Sequence, residues 1–170
     1  TAFLPIMTVP IAEQLTGINR SGEILNRLSN DHYFTEKYQN DISVYYYHLL
    51  FREFLLTKAK ESFTSTELCQ IKKNAAILLE EDGSPEDAVL LLLDCSDFEE
   101  LTRIILKQAP VLIGQGRYHT LLTWMEYFPD EVYSKQPWLL YYMGVCKLPH
   151  NPTESLVHFE IALDQFQRQK

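Results

Sequence analysis

A mainly α fold is predicted for this chain: a small winged-helix-like module containing a β-hairpin, followed by an antiparallel array of α-hairpins of tetratricopeptide-like type. Three observations lead there. The 170 residues are 46% apolar, enough core for one ordinary domain or two small ones, yet hold only 6 Gly and 8 Pro. That is too few punctuating residues for the many turns of a sandwich or barrel. Apolar residues recur at helical spacing along most of the chain, and the breaks between them carry helix-start residues. Only between residues 32 and 47 does the pattern change to β-branched and aromatic runs.

In the first segment, residues 1–64, Ile11, Leu15 and Ile18 and then Ile24, Leu25 and Leu28 are spaced for two short helices, separated at Thr16-Gly17 and Ser21-Gly22. Ser21 is the expected cap of the second helix and Glu23 its first-turn acid. The runs His32–Glu36 and Ile42–Tyr47 are predicted strands, joined through Tyr38-Gln39-Asn40-Asp41, which has turn chemistry. From Leu49 to Phe63 helical spacing returns, with Leu50, Phe51, Phe54 and Leu55 forming the apolar side. Helices, a hairpin and a helix in that order give the winged-helix-like reading.

The second segment, residues 65–170, repeats a start signal. Ser84-Pro85-Glu86-Asp87 and Asn151-Pro152-Thr153-Glu154 each place a capping residue, then Pro at the first helical position, then acids. Ser96-Asp97 and Pro129-Asp130 mark further starts, and Gly114-Gln115-Gly116 reads as a helix C-cap and turn. Between them lie apolar stripes such as Leu101, Ile104, Ile105 and Leu112. Helices of this length joined by short turns predict stacked antiparallel hairpins. Pro110 falls inside one of them and is expected to kink or end it. Leu139–Gly144 followed by Ser155, Phe159 and Ala162 partly matches a tetratricopeptide repeat.

Several classes of function are disfavoured. The net charge of −8 is uneven: residues 1–65 carry 6 Lys and Arg against 7 Asp and Glu, and residues 66–170 carry 9 against 16. Such a second part repels nucleic acid and anionic lipid. The glycines build no phosphate-cradling loop and no dinucleotide fingerprint. The five histidines are dispersed and the three cysteines, Cys69, Cys95 and Cys146, lack ligand spacing, so no metal site is expected. Glu80-Glu81-Asp82 and Glu99-Glu100 diverge around a helix and read as solvated surface. No catalytic residue and no enzyme activity are therefore expected. With no apolar run long enough to span a bilayer and no leader pattern, the expectation is a cytoplasmic protein with reduced thiols. Because the chain opens Thr-Ala-Phe-Leu already in patterned sequence, it is expected to be part of a longer one.

The most unusual local feature is Tyr45-Tyr46-Tyr47-His48, ring side chains that alternate along a predicted strand and end where a helix begins. Pattern alone favours core packing for the tyrosines. His48 would sit at a helix N-terminus, where partial positive charge gathers anions, with its imidazole able to bond toward one.

These residues also carry a resemblance. Tyr46-Tyr47-His48-Leu49-Leu50-Phe51-Arg52-Glu53-Phe54-Leu55 is similar to the "Tyr-x-His-x-Leu-Phe-x-x-Phe-Leu" signature of MalT-like, LuxR-type ATP-dependent transcriptional regulators of the STAND class. Gln14-Leu15-Thr16-Gly17 and Ile24-Leu25-Asn26-Arg27-Leu28 resemble the pattern before it. Ala75–Glu80 with Gly83–Ala88, and Leu121–Glu131 with its Trp124 and Pro129, resemble elements after it, in the same order. The resemblance implies that the first module packs on an upstream nucleotide-binding core in the same chain. It implies that His48 contacts the phosphate of bound ADP there, and that the helical arm receives an inducer or regulatory protein. ATP and ADP would then be cofactors of the parent, which would hydrolyse ATP slowly, and neither part of this fragment would touch DNA or membrane. The alternative is a free-standing helical-repeat adaptor that binds a basic partner peptide through its acidic surface. A DNA-reading winged helix ranks below both, since the would-be recognition helix, Gly22 to Asn30, has one Arg, one Glu and no basic stripe.

Overall fold

The alternation of Ser43–Tyr47 sends Tyr45 inward, where it is 1% exposed, and this strand becomes the centre of a three-stranded antiparallel sheet. In the computed structural model, which describes residues 1–39, 42–133 and 135–168, two compact units are resolved, Thr1–Leu91 and Leu92–Lys170.

The first unit opens with β1 (Met7–Thr8), α1 (Val9–Thr16) and α2 (Ser21–Asn30). It continues with β2 (Thr35–Gln39), β3 (Ser43–Tyr47), α3 (Leu49–Ser62) and α4 (Ser65–Glu81). The sheet order is β1-β3-β2; Met7 pairs with Tyr45, and Thr35 with Tyr47. Helix α1 packs on α2 and α4, and α2 packs on β2. Leu4, Met7, Ala12, Leu25, Tyr45 and Ala75 form the core. Asn26 ties helix to sheet: its Oδ1 accepts from Tyr45 OH at 2.8 Å and from Lys37 Nζ at 2.9 Å.

The hairpin stands where the sequence places it, but its first strand begins at Thr35 rather than His32. His32 (φ 56°) and Phe34 (φ 48°) are left-handed and cannot continue a strand. His32 instead closes α2, with Tyr33 N donating to Leu28 O at 2.9 Å. Of the expected turn, Asn40 and Asp41 lie outside the described residues. Ser21 is not the cap of α2; that position is Arg20, while Ser21 Oγ, already inside the helix, donates to Ile18 O at 2.8 Å.

A reciprocal capping box starts α4. Thr64 Oγ1 accepts from Glu67 N at 3.3 Å, and Glu67 Oε2 accepts from Thr64 N at 2.8 Å, which holds the Glu67 carboxyl below its ordinary range. That contribution is fully present above the ordinary value of 4.5 and is lost as pH falls through the lower folded-state value. Thr64→Ala should cost about 1 kcal/mol in urea unfolding at neutral pH. An unchanged midpoint would mean the box is not formed.

Helix α5 (Pro85–Asp94) contains the residues on either side of the division between units. The second unit continues with α6 (Phe98–Gly114), α7 (Tyr118–Met125), α8 (Asp130–Tyr133), α9 (Pro137–Lys147) and α10 (Pro152–Arg168). Helix α6 packs on α7 and α9, and α9 and α10 form an extensive hairpin. Leu101, Ile104, Ile105, Leu121, Met125 and Leu139 are fully buried at its centre. The start signals hold where they can be read. Asp97 Oδ1 accepts from Glu100 N at 3.3 Å and Asn151 Oδ1 from Glu154 N at 3.2 Å, and α5 and α10 begin at Pro85 and Pro152. Gly116 (φ 71°) ends α6, with Arg117 N donating to Leu112 O at 2.8 Å. Pro110 does not end α6, which runs through it to Gly114. Proline forfeits one amide donor there, and the buried side chains of Ile105, Ala109 and Leu112 still hold the helix together.

Candidate functional site

His48 sits between β3 and α3, at the N-cap of the helix, with φ −55° and ψ 142°. Its backbone is held on both sides: His48 N donates to Phe34 O at 2.7 Å, and His48 O accepts from Arg52 N at 2.9 Å. The imidazole makes no capping bond and is exposed. A ligand presented by another surface could reach it without breaking anything inside the domain.

The surroundings of His48 are apolar. Phe34, Leu50 and Phe54 are 65%, 69% and 53% exposed. The Phe34 ring lies 6.2 Å from that of His48 and 6.2 Å from that of Phe51, which continues to Phe54 at 6.3 Å. A partly exposed aromatic chain that begins beside one polar group suits a docking surface, because covering it removes apolar area from water while leaving the ring to set orientation.

The apolar side expected for α3 is therefore not buried in the way the sequence suggested. No residue of α3 is buried. Six large apolar residues, Leu49, Leu50, Phe51, Phe54, Leu55 and Leu56, spread over too wide an arc for one face. Leu49, Leu50 and Phe54 are exposed, while Phe51 and Leu55, with Tyr47, line a cavity of about 660 Å³ that Ala2, Phe3 and Leu28 also border. That breadth was the available signal for a second, outward-facing surface.

The tyrosines divide as strand alternation requires. Tyr45 is core. Tyr46 faces outward, where it stacks on Tyr38 at 5.6 Å and donates to Glu36 Oε2, and that bond raises its phenol well above the ordinary range. Tyr47 OH meets Thr1 Oγ1 at 2.8 Å, and burial raises its phenol.

Other candidate chemistry stays apart. Glu100 pairs with Arg103 at 2.6 Å, while Glu99 faces solvent. Burial pushes the Cys146 thiol up to about 11, far from a reactive thiolate. His158 lies 3.8 Å from Glu154, and burial lowers its pKa. Among the described residues no three His, Cys, Asp or Glu gather as a metal site, and no helix is long and apolar enough to cross a membrane.

Residues 1–67 match the family described as the MalT winged helix domain, a span that ends in the first turn of α4 and contains His48 and its whole apolar surround. This part of the chain is similar to a MalT-type winged helix. No curated protein matches the chain.

Proposed function

We propose that this chain is a non-catalytic regulatory part of a signal-responsive, ATP-dependent transcriptional activator of the MalT-like, LuxR-type, STAND class. The winged helix gates nucleotide state, and the helical arm relays binding of an inducer or regulatory protein. In the resting form the His48 face covers a nucleotide-binding core in the same chain, and His48 bonds to the phosphate of ADP. Signal on the helical arm shifts the balance toward an open ATP-bound form. The protein works in the cytoplasm.

The observation that carries this reading is His48 itself. It is an exposed imidazole that makes no capping bond at a helix N-terminus, fixed through its backbone and 6.2 Å from the exposed Phe34 ring, within a span that matches the MalT winged helix. The fragment itself does not contact DNA on this account. Arg20, the N-cap of α2, pairs with Glu23 at 2.9 Å, and Arg27 within α2 pairs with Asp31 at 3.6 Å, leaving no basic stripe to meet phosphates.

The adaptor reading retains one supporting observation: Leu156, Val157, Ile161 and Leu163 of α10 are all exposed, an outer surface that a partner could cover. A reporter assay of the intact gene product separates the two. His48→Ala should raise transcription several-fold in the absence of inducer. Output at the wild-type level would remove the gate and leave the adaptor.

A further inference from the structure

Helix α3 carries His48 yet buries no residue of its own, and the cavity of about 660 Å³ lies along its inner side. Close packing is not what fixes it. The side chains of Arg52 in α3 and Tyr47 just before it both bond to one distant segment, residues 1–8. Arg52, one turn into the helix, donates from Nε to Ala2 O at 2.8 Å and from Nη2 to Phe3 O at 3.4 Å, reaching back 50 and 49 residues. Tyr47, immediately before His48, meets Thr1 Oγ1 through its OH at 2.8 Å. β1 at the end of the same segment pairs with β3 opposite Val44 and Tyr45. The segment is anchored in turn by Leu4 and Met7, which are 1% and 0% exposed, and by Lys72 Nζ lying 5.5 Å from the Phe3 ring.

His48 is thus bracketed by this strap on both sides. Its O is bonded to Arg52 N, and the Arg52 guanidinium is bonded to the strap's carbonyls. We infer that Arg52 is the positioning residue that couples the Thr1–Thr8 strap to His48, so that displacing the strap moves the imidazole. The planar guanidinium suits this task because its fork reaches two successive carbonyls at once, which a lysine ammonium cannot do in one geometry. The inference rests on the proposed phosphate-facing role of His48 and adds to it where its regulation enters: a pull on the strap opens the gate.

The test uses the 170-residue chain and no nucleotide, so its failure is distinct from failure of the ADP reading. Amide exchange and the His48 ring resonances are followed by NMR in the wild type, Arg52→Lys, Arg52→Gln and Tyr47→Phe. Loss of charge-assisted bonds to the strap should raise exchange at Leu4 and Arg52 about tenfold or more in both Arg52 variants. The His48 ring signal should shift with them. Tyr47→Phe, which keeps the ring and the fold, should move the same signals in the same direction and less far. Arg52→Lys behaving as wild type would overturn the fork. Faster strap exchange with an unmoved His48 signal would overturn the coupling.

Discussion

Gly144→Val should lower the unfolding free energy by about 3 kcal/mol, the upper end of what overpacking a filled interior costs. Gly144 is buried in α9, and a Cβ there would stand 2.7 Å from Phe159 Cε1, 2.8 Å from Cδ1 and 3.1 Å from Cζ. The Tyr141 ring, 5.7 Å away, crowds one direction in which the Phe159 ring could retreat. Nor can the helices part at low cost. Ser155 Oγ of α10 donates to Gly144 O at 2.7 Å in a fully buried contact, and separation would orphan that hydroxyl. Alanine is the milder control, because its helix propensity returns about 1 kcal/mol of the steric loss. Urea unfolding followed by tryptophan fluorescence reads the effect near its origin, as Trp138 packs 5.1 Å from Phe166 in the same hairpin. A valine variant with the wild-type midpoint would mean that α9 and α10 do not approach this closely.

Ile105→Ala is expected to cost about 3 kcal/mol, within the range for deleting a buried branched side chain and leaving its cavity. Ile105 is 0% exposed in α6, the helix that packs on both α7 and α9, beside the fully buried Ile104 and Leu101. Three packed helices converge there, so collapse of the void is hindered. The same urea experiment, monitored by circular dichroism, should show a lower midpoint at unchanged slope. An alanine variant within about 0.5 kcal/mol of wild type would contradict a packed core at this position.

Helices α6 and α10 were the most legible of the second unit, because each announced itself twice: by a periodic stripe such as Leu101, Ile104, Ile105 and Leu112, and by cap chemistry at Asp97 or Asn151. Pro110, expected to kink or end its helix, does not end it, because a sequence shows the lost amide and not the buried side chains that keep α6 continuous around it. Strand edges were harder. Nothing in His32-Tyr33-Phe34 signals that two of these residues turn left-handed, and their aromatic character argued for a strand. β1 was invisible: two residues, Met7 and Thr8, carry no alternation to detect, and their pairing is decided by Tyr45 and Val44 far along the chain. At the candidate site, His48 and its place at the start of α3 could be read directly. The outward half of α3 was signalled only by the breadth of its apolar arc, and the Arg52 bonds to Ala2 and Phe3 were not signalled at all, because they depend on which residues the strap reaches after folding.

The central claim is that His48 holds ADP in the resting form, and equilibrium titration of ADP against the intact gene product, wild type and His48→Ala, tests it most directly. One bond from an imidazole to a phosphate oxygen is a hydrogen bond to a charged group, and its loss should weaken ADP about 10-fold to 100-fold. ATP affinity should change far less if the open form disengages the winged helix. Equal ADP affinity in the two proteins, or an intact product that binds no ADP, would contradict the account.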